Sequence, residues 1–400
     1  MEINPYRHFG VPEIINCVGF ATRVGGSCPS EPILHAMLAA NRAFVEIDDL
    51  QAAASRVIAR GTGAEAGLVT SGAAAGLALA AAACLAGNDV EAMDQLPDTS
   101  QIARHEIIYP QPGPYDYDHP LRTAGARLVA IDYQDRQALE RIATAIGPKT
   151  AAIGYAWLHV NEQPPLEKLV ELAYQHGLPL IVDAAMSLPP AENLTRFTGL
   201  GADLVVYSGG KHLGGPQASG VLCGKLPLIR SAWAQMVDMD VRLGTWSLRA
   251  WIEEGWIARP PRHGIGRSMK VGKEAIIGLL AALDAYKERD FAAEQQHWAA
   301  LADEIAEGLE TIDCFDMRRL FPSPTGQPYP TIQIELPPGR LDIDMAGVHK
   351  ELRGNSPKIV LSEDESAAHR AYIYPICLAP GDPGRIVMAF RRIVDRHRIS

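Results

Sequence analysis

Between residues 64 and 224 the chain alternates short aliphatic, β-branched runs with helix-period patterns, and this alternation restricts the possible folds more than any other feature. Parallel strands cannot be joined by tight turns and need crossovers, so the pattern predicts an α/β fold: a mostly parallel sheet with helices on both faces. Seven strands are expected, at 67–69, 106–109, 126–131, 151–154, 178–182, 203–207 and 220–223. In one crossover Leu166, Leu169, Val170 and Ala173 recur at helical spacing, and the pattern stops at His176-Gly177. The longest apolar run, 72–87, is mostly Ala and Gly, with bulk only at Leu77, Leu79 and Leu85. A membrane span needs about 20 strongly apolar residues, so this run is expected to be a buried helix.

After residue 224 strand signals thin out. Helices are expected at 273–287 and 291–309, proline-rich loops at 321–330, and strands at 331–336 and 358–361. These features divide the chain into a large domain at 51–284 and a smaller α+β domain at 285–400, with residues 1–50, including a helix near 31–44, packing against the small domain. With 37 basic and 47 acidic residues the net charge is −10, and no long run of one sign occurs, which argues against nucleic-acid or anionic-membrane binding. No basic stretch followed by an apolar segment opens the chain, so a cytoplasmic location is expected. The six cysteines are far apart and form no CxxC pair, as suits reduced thiols. His105 and His119 fit no zinc spacing, and no metal is expected.

Three features carry chemistry. The first is Tyr207-Ser-Gly-Gly-Lys211-His-Leu-Gly-Gly, a lysine just past a strand end within a glycine-rich turn, where open α/β sheets bind ligands. A Walker A loop would require GxxxxGK[ST], which this spacing does not meet. The second is Leu180-Ile-Val-Asp183, an acid closing an apolar strand, where a carboxylate needs a cationic or donor partner. The third is Leu68-Val-Thr-Ser71-Gly72-Ala73, a strand feeding a Ser-Gly turn that opens a helix: free N–H groups, the helix dipole and a hydroxyl converge on an anion. Singly, each has a bland reading as a solvated lysine, a helix N-cap or a serine cap. In this order, phosphate turn, Asp and Lys together match the needs of pyridoxal 5'-phosphate (PLP). Gly264-Ile-Gly266 does not make a dinucleotide loop, lacking the third glycine and a preceding strand.

The segments AEAGLVTSGAAAGLALAAAACLAG, PPLEKLVELAYQHGLPLIVDAAMSLPP, GADLVVYSGGKHLGGPQASGVLCGK and GRSMKVGKEAIIGLLAALD resemble the PLP-dependent, fold type I enzymes related to selenocysteine synthase (L-seryl-tRNA selenium transferase), and most closely their D-glucosaminate-6-phosphate ammonia-lyase branch. The resemblance implies that Lys211 forms the Schiff base, that Asp183 pairs with the pyridine nitrogen, and that Ser71, Gly72, Ala73 and Ser208 hold the phosphate. It also implies homodimers or larger rings with sites at subunit interfaces, so the 214–220 loop and the 266–273 stretch are expected to reach a neighbour's cofactor. The selenium transferase carries an extra N-terminal tRNA-binding domain; this chain starts almost at once with the catalytic body, and no tRNA substrate is expected.

Family members place a ring on the cofactor where this chain has residues 104–119, and His119 is the first candidate for it, with Tyr117 and His105 next. A bidentate guanidinium is the expected clamp for a substrate carboxylate, and Arg23, Arg267 and Arg353 are the candidates. Lys270 and Lys273, one helical turn apart, face either a phosphate or solvent. The expected activity is a lyase that removes a β-substituent and ammonia from a hydroxylated or D-configured amino acid. A racemase is the alternative, with His119, Tyr117 or Cys17 as its second acid/base, and a non-catalytic binding module is the third reading.

Overall fold

The structure, a computed structural model, describes residues 4–110, 117–157, 164–364 and 366–399. Twelve strands occur among them: β1 (Ile14–Cys17), β2 (Ala66–Thr70), β3 (Glu106–Pro110), β4 (Arg127–Ile131), β5 (Thr150–Ala156), β6 (Leu180–Asp183), β7 (Leu204–Ser208), β8 (Gly220–Gly224), β9 (Asp316–Leu320), β10 (Thr331–Glu335), β11 (Lys358–Glu363) and β12 (Arg370–Ile373). The chain divides into two compact units, residues 27–288 and residues 1–26 with 289–400.

The larger unit holds the expected seven-stranded sheet, in the order β2-β8-β7-β6-β5-β3-β4. Only β8 runs antiparallel to its neighbours. Leu68, Ile107, Ile181 and Leu204 are fully buried, each worth about 1.5–3 kcal/mol of apolar burial. The apolar run 72–87 forms the helix Ala73–Ala86 lying on this sheet, and its small side chains let the two backbones approach: a Cβ at Gly76 would meet Val206 Cγ1 at 2.9 Å. That approach brings the helix's first turn to the end of the sheet where β2, β6 and β7 terminate.

The smaller unit is a five-stranded sheet, β1-β11-β12-β10-β9, packed on the helices Phe291–Glu310, Met345–Arg353 and Asp382–His397. Sequence patterning did not reveal β1, β9 or β12, which are short or edge-exposed, nor the final helix. The first fifty residues are shared between the units. β1 pairs in parallel with β11, because Ile15 and Cys17 are buried in the smaller core, whereas the helix Glu31–Ala40 packs on the helix Lys273–Lys287 of the larger unit. Among the described residues no helix is long and apolar enough to cross a membrane.

Candidate active site

Sheet register builds the site. Asp183 on β6 lies opposite Val206 on β7, and Ser208 follows two residues later, so alternation puts Asp183, Val206 and Ser208 on one face. Val206 touches the Ala-rich helix at Gly76, and this is therefore the helix-covered face. Gly220 of β8 pairs with both Thr70 and Ser208, drawing the Ser71-Gly72 turn alongside the end of β7. A Cβ at Gly220 would lie 2.6 Å from the Gly72 carbonyl carbon, so only glycine permits this approach.

Asp183 is partly buried, and its Oδ1 accepts the Ala185 N–H at 3.0 Å. Burial pushes its carboxyl above the usual carboxylate range, against the opposing pull of the Ala185 N–H and the Lys211 charge. Lys211 is the reciprocal case: burial pushes its amine below the usual lysine range, and the Asp183 charge resists. The two groups predicted separately from sequence thus share one low-dielectric environment.

The lysine turn is clamped from both sides. Ser27 N–H donates to the Gly210 carbonyl at 3.0 Å, Ser27 Oγ donates to the Gly215 carbonyl at 2.7 Å, and Gly209 N–H donates to the Ser219 carbonyl at 2.8 Å. A Cβ at Gly210 would sit 2.4 Å from Gln217 Cα, which explains the glycine pair before Lys211. His212 is buried, and its Nδ1 lies 3.0 Å from the Tyr286 hydroxyl, so it belongs to packing rather than to the ligand side.

At the proposed phosphate turn Gly72 has φ +116°, a conformation open to glycine, and the helix begins at Ala73 without a side-chain cap. Its first N–H groups and the positive end of a 14-residue helix suit an anion. Ser71 departs from the expected role, because its hydroxyl donates to the Met269 carbonyl at 2.9 Å. Met269 closes the 3-10 turn Ile265–Met269, whose Gly266 N–H donates to the Gln235 carbonyl at 2.9 Å. The Gly264-Ile-Gly266 pair serves this strap, since a Cβ at Gly264 would meet the Gln235 carbonyl oxygen at 2.7 Å. Sequence reasoning missed Ser27, Gln235 and Met269; the glycines opposite them were the available signal.

The remaining candidates scatter. His119 is exposed on the short helix His119–Thr123, Tyr117 is exposed, and His105 Nδ1 lies 2.7 Å from the Ile102 carbonyl oxygen. Residues 111–116 of that stretch lie outside the described residues. Arg267 is 3.5 Å from Asp238, whose carboxylate also lies within 4.8 Å of potential ligand atoms of Asp240 and His263, an exposed cluster. Lys273 contacts the Ala43 carbonyl, and its Nζ lies 5.0 Å from the centroid of the Phe44 ring, which stays exposed. Arg23 and Arg353 belong to the smaller unit, where both charges act on His349 and Arg353 pairs with Glu363 at 3.3 Å. Cys17 is buried in β1, and burial pushes its thiol far above the ordinary range, the wrong direction for a proton donor.

These residues fit PLP on the chemistry of the donors: a helix N-terminus for the phosphate, a buried carboxylate for the ring nitrogen and a buried lysine for the aldehyde. Known proteins agree. D-glucosaminate-6-phosphate ammonia lyase of Salmonella typhimurium is 29% identical, covering 99% of each chain. A solved structure of a D-glucosaminate-6-phosphate ammonia-lyase superposes with a TM-score of 0.79 at 28% identity, again over 99% of both chains. The 5'-C-glycyluridine monooxygenase-decarboxylase of a Streptomyces species is also 29% identical, over 98% of this chain and 92% of its own. The aminotransferase class-V family model matches residues 118–338, more than half the chain and the stretch that includes both Asp183 and Lys211. The chain belongs to the aminotransferase class-V family, with the fold type I architecture and the PLP cofactor that go with it.

Proposed function

We propose that this protein is a PLP-dependent lyase that eliminates a β-substituent and ammonia from a hydroxylated or D-configured amino acid, leaving a 2-oxo acid. The observation that carries it is the buried Asp183 and Lys211 pair at adjacent strand ends, in a chain similar end to end to an ammonia lyase. Bound PLP supplies an electron sink for the pair left when the Cα proton departs. Lys211, its amine held below the ordinary lysine range by burial, takes that proton. Asp183 keeps a proton on the ring nitrogen. The Gly72 and Ala73 N–H groups, with Ser208, would hold the phosphate, and His119 is the candidate for the ring that would stack on the cofactor.

Of the three arginines, Arg267 and Arg353 are engaged by Asp238 and Glu363, whereas Arg23 has no acidic partner among the described residues. Arg23, Arg267 and Arg353 stay the candidates for the carboxylate clamp, and the one whose change to Ala raises KM with kcat less affected is identified as it. We place the protein in the cytoplasm, a reading supported by six free cysteines. We further read the functional unit as a homodimer at least, with the 214–220 loop and the 266–273 stretch completing a partner's site. Its support is an exposed apolar stretch of the larger unit, with Leu38 54%, Phe44 100% and Val45 53% exposed. Mixing Lys211→Ala with Arg267→Ala subunits should restore partial activity, and an active monomer in light scattering would overturn the dimer.

A second reading rests on the Streptomyces relative, equally identical and named a monooxygenase-decarboxylase. Incubation with D- and L-hydroxyamino acids in deuterated water separates the readings. Ammonia without oxygen uptake supports the lyase; oxygen uptake with carbon dioxide release supports the second reading; α-deuteration with inversion and no ammonia indicates a racemase.

A further inference from the structure

We propose that Tyr109 is a positioning residue for Asp183, its buried hydroxyl supplying the carboxylate with a hydrogen bond through one bridging water from the core side of the sheet. The inference rests on the assignment of Asp183 to the pyridine nitrogen and extends it to a residue that sequence reading did not single out.

Tyr109 stands on β3 just after Ile108, which pairs with Ile153 on β5, and the next β5 residue, Gly154, pairs with Ile181 on β6. Asp183 follows Ile181 by two residues and shares its face. Between the two strands Gly154 offers no side chain, and the Tyr109 ring occupies that space: a Cβ at Gly154 would lie 2.3 Å from Tyr109 Cδ2. The ring therefore crosses β5 toward β6. Among the described residues its buried hydroxyl has no hydrogen-bond partner, and the residue is 3% exposed.

Other buried tyrosines behave differently. Tyr133 donates to the Gly154 carbonyl at 2.8 Å, and Tyr207 to the Asn193 and Leu194 carbonyls at 2.9 and 3.0 Å. Buried hydroxyls are normally satisfied, and Phe would fill the Tyr109 position without stranding a polar atom, so the orphan asks for a use. Burial first, then the charges of Asp183, Tyr133 and Asp118, push the phenol well above its ordinary range, so the hydroxyl keeps its hydrogen for a hydrogen bond. A polar pair separated by more than direct hydrogen-bond reach is the usual setting for a bridging water.

The test is PLP titration into four apo-proteins: wild type, Tyr109→Phe, Asp183→Asn and the double variant, with thermal melting of each apo form. Tyr109→Phe is expected to weaken PLP binding about tenfold when Asp183 is present and less than about twofold in the Asp183→Asn background, since the hydroxyl acts through the carboxylate. Its apo form is expected to melt close to wild type, because the hydroxyl has no direct protein partner among the described residues to lose. An equal loss in both backgrounds, no loss in either, or an apo form melting well below wild type overturns the proposal. Wild-type protein that takes up no PLP overturns the cofactor assignment beneath it instead.

Discussion

Two sets of buried or half-buried charges, one in each unit, are arranged on opposite principles. On the smaller sheet Arg370 faces Glu335 directly across β10 and β12, with Nε 2.7 Å from Oε1. It also reaches Asp364 at 3.3 Å, while Tyr372 donates to Asp364 at 2.9 Å and Gln333 to Glu335 at 2.9 Å. Every member has partners. On the larger sheet Asp183 accepts one backbone N–H, the Lys211 charge offsets its burial, and the Tyr109 hydroxyl has no partner among the described residues. The first arrangement ties together the ends of two interior strands. The second leaves polar capacity open, at a cost in stability, for a ligand that completes it.

Breaking the open set should abolish chemistry. Lys211→Ala is expected to lower turnover by on the order of 10³-fold or more, and borohydride reduction should no longer fix PLP to the chain. Peptide mapping of reduced wild type should find the label on Lys211; finding it on Lys270 or Lys273 would displace the site. Asp183→Asn comes next: PLP still binds, with affinity reduced on the order of tenfold, while turnover falls by on the order of 10²-fold, because the ring loses its proton more than its place. Near-wild-type kcat in this variant would remove the role assigned to Asp183.

Breaking the satisfied set should affect stability instead. Burial would raise the Asp364 carboxyl, but Ser366, the Tyr372 hydroxyl and Arg370 overcome it and hold the group below the usual carboxylate range. A carboxylate depressed on folding adds stability above its unfolded pKa of about 3.9 and loses it as pH falls through the lower folded value. Asp364→Asn should therefore cost about 1–3 kcal/mol at pH 7, with the gap from wild type narrowing below about pH 4, as denaturant melts across pH would show. Activity of the folded fraction should be retained.

The smallest effect is expected at Ser71. Its donor is already given to the Met269 carbonyl, so Ser71→Ala should cost about 0.5–1.5 kcal/mol in melting experiments and well under tenfold in PLP affinity. A loss of PLP binding comparable to removal of the whole turn would return Ser71 to the phosphate and make the Met269 contact incidental.

Asp183, Lys211 and the Ser71-Gly72 turn were legible because each lies at or just past the end of an aliphatic strand, where open α/β sheets bind ligands, although the strand order that makes those ends neighbours, β2-β8-β7-β6, was not. The Ala-rich helix was legible for the same reason, its composition having no other use. Strands β1, β9 and β12 were not: four or five residues with mixed polarity carry no periodicity, and their pairing is decided by partners far away in the chain. Arg23, Arg353 and His119 looked plausible in loops, but a long polar side chain takes its role from whatever lies opposite, and sequence does not show what that is.

By itself, then, the sequence determined the mostly parallel α/β sheet, the helix that opens after the Ser71-Gly72 turn, and the acid and lysine at strand ends, since local hydrophobic patterning suffices for these. Only the tertiary structure decided that Ser71 is spent on Met269, that Ser27 clamps the lysine turn from 188 residues away, and that the space left by Gly154 carries Tyr109 toward Asp183. These depend on contacts between distant segments, where one missing Cβ or one donor's direction decides the partner, and no local rule encodes that.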